Sequence, residues 1–327
     1  MARLKAANPG QLVTFALIVG GAIFLLVGSL DSTNFAKFTV EGVAQGMVYG
    51  SLALALVLIY QATHVINFAQ GELAMLTTFI AYQLTQWGLS YWEAFPATVA
   101  IAFLIGMVLQ VTVIRPVQHR SVIATVIVTV GLFTLIDGIV NWKWGESGFL
   151  TLPSAFGFGS WDVGGVLIFR FYVGTVVVVL ASLVVVWVLF RFTKLGLAMR
   201  AAALRPASAS LAGVRVDAML AIGWGLAAAL GAVAGLMNEA SPFSSLDPTF
   251  MQSVLVFAFA AAALGGLESP VGAVVGGLAI GVLQTLLIGY VPQISTELQI
   301  PFSFALILIV LVVKPTGLFG SRQVVRV

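Results

Sequence analysis

The sequence predicts an all-α, polytopic membrane protein of about ten transmembrane or re-entrant helices (eight to ten), some of them broken. Three observations predict it. Of 327 residues only 8% are charged and 60% are hydrophobic, whereas soluble domains carry about 25% charged residues. Uncharged runs of about 20 residues recur along the chain, the length that spans a hydrocarbon core of about 30 Å. These runs are continuously apolar, whereas strands of a membrane barrel alternate over roughly ten residues, and only helices or closed barrels satisfy the backbone in lipid.

The candidate crossings are residues 11–30, 42–62, 73–92, 94–114, 121–142, 171–190, 218–238, 251–267, 270–291 and 298–313. They make one membrane domain, 1–327. The first run follows Arg3 and Lys5, but it is longer than the apolar core of about 7–15 residues in a secretory signal, and no Ala-x-Ala site follows it. It is expected to remain as a helix. Twelve of the 15 basic residues fall in loops on the side of the termini, while Lys37, Lys143 and Arg170 fall on the other. Inner loops are the ones enriched in Lys and Arg, so both termini are expected in the cytoplasm. Trp142, Trp144 and Trp161, with Tyr91 and Trp92, are expected as aromatic anchors at the headgroups.

Composition excludes several chemistries. Cysteine is absent, which removes disulfides, thiolate metal sites and cysteine nucleophiles. His64 and His119 are too far apart to build a metal cage, so no metal site is expected. The net charge of +3 comes from residues set between apolar runs; this is a membrane-topology pattern, with lipid and not nucleic acid as the neighbour. A phosphate cradle of the form Gly-x-x-x-x-Gly-Lys-Ser/Thr is missing, because no lysine follows glycine. No Ser/His/Asp set is credible, so the chain is expected not to be an enzyme.

Two breaks interrupt the apolar pattern. Between Glu41 and Glu72 a single straight helix would run about 45 Å and overshoot the bilayer, so the chain must bend. The later part of that run, residues 63–72, is an island of hydrogen-bonding groups that includes Asn67, Gln70, Gly71 and Glu72. Irregular backbone at membrane depth needs protein or a water-filled cavity around it, so the island marks either a pathway or an interfacial turn. On polarity beside a broken helix, Asn67, Gln70 and Ser51, then Tyr49 and Thr78, are the candidates for a solute path. The second break has Gly265 and Gly266 ending one helix and Pro270 starting the next. Gly272 and Gly276, then Gly277 and Gly281, are spaced for close helix contact in lipid. Both breaks set a glycine near a glutamate, Glu72 or Glu268, which hints at a duplicated half.

The connection 191–217 is expected to be folded. Its alanine-rich stretch after Gly196 favours a short helix, Pro206 suits the first turn of a second, and Gly213 suits its end. Arg191, Lys194, Arg200 and Arg205 would serve either a partner protein or anionic headgroups.

Three segments together resemble the permease subunits of branched-chain amino-acid ABC importers, of the LivH type. INFAQGE at 66–72 is similar to the family's INFAHGE. Residues 196–217 are similar to its GRAMRA segment and the LGI-x-x-D that follows, and 264–273 to its LGG-x-G-S-x-x-GA. Gln70 stands where the family has histidine, Leu204-Arg205 where it often has acidic or polar residues, and Glu268 where glycine is frequent. The resemblance implies a bacterial cytoplasmic-membrane permease whose segment 196–214 docks on a separate ATPase, through Gly196, Arg200, Ala201, Ala202, Ala207, Leu211 and Gly213. It further implies a second, different permease subunit, an extracytoplasmic solute-binding protein, and ATP and Mg used by the ATPase and not bound here. A self-contained carrier or channel remains the alternative, for which Asp137, Glu72 and His64 are the thin set of coupling groups.

Overall fold

The computed structural model describes residues 32–118, 120–145, 149–290, 301, 305 and 317–320. The expected crossing 11–30 lies outside these residues, as does 298–313 apart from Pro301 and Ala305.

Apolar runs become helices where they were expected, with shifted ends. Helix α1, Ser32–Thr63, has 32 residues and starts well before residue 42. Its end is the expected bend: His64 sits at φ +55° and residues 64–69 are irregular. α2, Gln70–Gln86, is only 17 residues. α3, Tyr91–Leu109, opens on a Ser90/Glu93 capping box and runs through a π-helical turn, Gln110–Ile114, into a last turn, Arg115–Gln118. α4, Val122–Trp144, starts at Ser121, whose hydroxyl accepts from the Ala124 amide. α5 spans Arg170–Phe192. α6, Lys194–Leu204, is followed by α7, Pro206–Leu211. α8 is Val216–Asn238, α9 Phe250–Gly265 and α10 Pro270–Tyr290.

Six of these stretches are long and apolar enough to cross a membrane: α1, α3 with its extension, α4, α5, α8 and α10. The all-helical reading needs one correction. Between α4 and α5 a hairpin pairs β1, Ser160–Val163, with antiparallel β2, Val166–Phe169. Gly164 and Gly165, both at positive φ, supply its turn. An irregular segment outside the apolar runs can satisfy its backbone this way.

The bundle has two distinct ends. At one, Gln61 Nε2 donates to the Glu268 carbonyl at 2.8 Å, Leu318 donates its amide to Leu264 at 2.7 Å, and Arg115 pairs with Asp217. At the other, Trp92 donates to the Ala155 carbonyl at 3.0 Å, and the Leu246 amide to Leu150 at 2.8 Å. Both sequence breaks and the α6–α7 elbow lie at the first end.

Close packing of small residues holds the core. Gly42, Gly46 and Gly50 of α1 lie against Gly277, Gly281 and the backbone of Val274, Leu278 and Val282 on α10. A Cβ at Gly46 would stand 2.7 Å from the Leu278 Cα, closer than van der Waals contact allows. Lipid tails are as apolar as leucine, so association here draws on dispersion between backbones in close approach. α8 forms the other spine, lying against α1, α2 and α3. Gly266, at φ +102° and ψ +122°, adopts a backbone conformation open chiefly to glycine and ends α9 before Pro270 begins α10.

Two expected anchors are instead interior. Tyr91 is buried, its hydroxyl donating to the Leu236 carbonyl at 3.0 Å, and Trp144 is buried with its ring 5.3 Å from Phe79. Trp142, Trp92 and Trp161 remain exposed. The two glutamates of the supposed repeat also differ, since Glu72 is fully buried and Glu268 exposed.

Candidate functional site

The polar island at the end of α1 folds inward. Asn67 forms a side-chain turn just before α2, its Oδ1 accepting from the Ala69 amide and its Nδ2 donating to Gln70 Oε1 at 3.2 Å. Gln70 in turn donates to the Ala227 carbonyl of α8 at 2.9 Å. Ser51 donates to the Leu230 carbonyl, and Thr78 to Ala74 within its own helix. All four side chains are fully buried. They bring α1, α2 and α8 together; each amide and hydroxyl donates to a carbonyl or amide oxygen of the protein, which is what a buried polar group requires. Gly71 lets α2 approach α9, where its missing side chain would meet Leu255. Glu72 follows in the first turn of α2, with Gln252 and Asp137 the polar side chains that act on it.

Of the five expected path residues, Tyr49 lines a cavity of about 360 Å³ between α1, α8, α9 and α10. Glu41, Gln45 and Tyr49, spaced four apart, present one polar stripe of α1 to it. Asn238 closes α8 above it, and Gln284 and Thr285 enter from α10. Val254, Phe257 and Ile288 form the apolar wall, with the Tyr49 ring stacked on Phe257 at 5.0 Å. A second hollow of about 220 Å³ shares Gln45 and Asn238 and extends to Phe169, Tyr172 and Phe243 beside the hairpin. Sequence reasoning passed over Glu41, Gln45, Asn238 and Gln284. The four-residue spacing of Glu41, Gln45 and Tyr49 was the signal that could have found the first two.

Next to Asn238, Glu239 is 5% exposed and accepts from Asn238 Nδ2 at 3.1 Å. Burial pushes its carboxyl up to about 7, against hydrogen bonds from Ser244 and Asn238 that pull it down.

At the opposite end the elbow is docked by one face and bare on the other. Gly196 rests on the Leu189 and Phe190 backbone of α5, and Met199 lies over Gly223 of α8, its Cε 3.7 Å from where a Cβ there would stand. Gly196, Met199 and Ala202 are buried, while Ala201 is half-buried. Pro206 occupies the first turn of α7, and Gly213, at φ +84°, follows its end. Leu197, Leu204 and Leu211 are 62%, 82% and 93% exposed, with Arg200, Ala207 and Gly213 also on the surface. Among the expected docking residues, Gly196 and Ala202 thus hold the elbow to its own bundle, and Arg200, Ala207, Leu211 and Gly213 face outward.

Among the described residues no group of three His, Cys, Asp or Glu side chains is placed to hold a metal ion.

Residues 38–311 match the family model described as the branched-chain amino acid transport system / permease component. The chain is 30% identical over 308 residues to the high-affinity branched-chain amino acid transport system permease protein LivH of Salmonella typhimurium, covering 90% of this chain and 98% of that one. It is 27% identical over 306 residues to the corresponding protein BraD of Pseudomonas aeruginosa, again covering 90% and 98%. A solved structure, PsaBC from Streptococcus pneumoniae in complex with Fab, aligns with a TM-score of 0.46 at 14% identity over 88% of this chain and 95% of that one.

Proposed function

This chain belongs to the branched-chain amino acid permease family of ABC transport systems, and from that premise we propose how it works: a conduit for branched-chain or related amino acids, driven through its elbow by a separate ATPase. It is a multi-pass membrane protein and a permease component, with ATP hydrolysis left to partner subunits. In this reading eight to ten helices cross or enter the bacterial cytoplasmic membrane and both termini are cytoplasmic. ATP and Mg bind the ATPase. A second, different permease subunit completes the pathway, and an extracytoplasmic binding protein delivers the solute.

The observation that carries the reading is the elbow, α6 and α7. Its inner face is fixed by Gly196, Met199 and Ala202, so a push on its outer face reaches α5 and α8 with little slack. Three exposed leucines around Arg200 are costly in water and suit a groove on a partner protein. Coupling of this kind is a free-energy linkage of about 1–3 kcal/mol between two sites. At the other end the cavity beneath Glu41 and Asn238 receives the solute, and Tyr49 carries it inward past Ser51, Asn67, Gln70 and Thr78. These four hold the helices that must part for passage.

Replacing Leu204 and Leu211 together by glutamate tests the coupling. Both are surface residues, so the variant should insert and purify normally. ATP-driven leucine uptake by the reconstituted transporter should fall at least tenfold while the purified permease keeps its melting temperature. Unchanged uptake would refute the role of the elbow.

A further inference from the structure

Among the described residues that line it, the cavity at the outer end carries one charged side chain, Glu41, in otherwise neutral walls. Among the described residues no Lys or Arg lies within 4.0 Å of its carboxylate. Tyr172 of α5 is the group that interacts with it across the neighbouring hollow. Gln45 and Tyr49 continue the same stripe of α1, and Asn238 brings a carboxamide from α8. The facing wall is apolar: Val254 and Phe257 of α9 and Ile288 of α10. The volume of about 360 Å³ lies at the low end of the range of about 300–1,000 Å³ for ligand cavities.

A carboxylate beside an apolar wall is a strong acceptor for a cation, and an ammonium that meets it makes a charge-assisted hydrogen bond. A neutral solute such as urea or a simple amide offers no cation. A free amino acid does, and its own carboxylate can be met by carboxamide N–H donors such as those of Gln45 and Asn238. We propose that Glu41 is a specificity residue, accepting from the α-ammonium of a single amino acid while Val254, Phe257 and Ile288 hold its branched side chain. The proposal rests on the importer reading and deepens it: it selects amino acids over uncharged solutes.

The test uses saturation-transfer NMR on the assembled transporter without its external binding protein, so that only the permease is probed. The ligands are leucine, leucinamide, which keeps the ammonium, and 4-methylpentanamide, which lacks it. The unaltered protein should show transfer to leucine and leucinamide. In Glu41→Gln both signals should fall at least tenfold, and in Glu41→Asp they should stay within about threefold. Transfer to 4-methylpentanamide should be weak and equal in all three proteins. Loss in Glu41→Gln without recovery in Glu41→Asp, equal binding of all ligands by all proteins, or no binding by the unaltered protein would overturn the proposal. In each of those cases, ATP-driven uptake that still fails in the Leu204/Leu211 variant would leave the importer reading intact.

Discussion

Glu239 and Gln70 show how differently two buried polar side chains can behave. The carboxyl of Glu239 is raised from an ordinary value near 4.5 to about 7 by burial. Its proton is therefore held more tightly folded than unfolded. The stability this gives is fully present below about pH 4.5 and is lost as pH rises through 7, a change of about 3 kcal/mol. Glu239→Gln should match the unaltered protein at pH 4.5 and melt several degrees higher at pH 8, measured as melting temperature in detergent. A pH-independent difference would exclude titration of this residue. Gln70 instead donates to the Ala227 carbonyl and accepts from Asn67. In sequence the two kinds of site look alike, because a polar residue in an apolar run marks a path or a lock with equal force. What distinguishes them is the acceptor, and for Gln70 that lies 157 residues away.

Helices were legible because each is an apolar run closed by recognisable chemistry. Pro270, Pro206 and Gly213 stand where their backbone preferences put them. Helix ends were less legible. α1 extends N-terminal to residue 42 because Lys37 and Glu41 interrupt hydropathy but not helical geometry. The hairpin 160–169 was missed because a four-residue strand carries too little alternation to stand out. The glycine spacing of α10 was read, yet its mate was not: Gly42, Gly46 and Gly50 supply the other half of the contact. Gly46→Val would force α1 and α10 apart, since its Cβ would meet the Leu278 backbone. The expected loss is about 1–3 kcal/mol, visible as a lower melting temperature and a broadened gel-filtration peak. Gly131→Ala serves as the control, because nothing stands within 4 Å of the position its Cβ would take and its φ is not positive. Normal behaviour of Gly46→Val would show that the helices are not in close register.

On the scale of the whole molecule, the alternation of loops between two ends was readable from basic residues, and the packing is consistent with it. Residues 64–69, 193–215 and 266–269 gather at one end, and 87–90, 149–169 and 239–249 at the other. The absence of cysteine makes the assignment of sides easy to check. Leu211→Cys should resist a membrane-impermeant maleimide on intact cells and react in inverted vesicles, whereas Phe158→Cys should do the reverse. Swapped labelling would invert the topology. Which helices line a cavity was not legible, because that depends on pairing between segments some two hundred residues apart, as for Gln61 and Glu268.

The π-helical turn at 110–114 bears on the end where the elbow lies. A turn of that kind wedges one surplus residue into the spiral, so everything after it is rotated by about 100°. Arg115 is the first residue after the wedge, and it reaches Asp217 at the foot of α8. The clasp between these two helices is thus written as an angular phase as well as a pair of charges. Trimming a single amino acid from the turn would leave every charge in place and swing the guanidinium away from its mate.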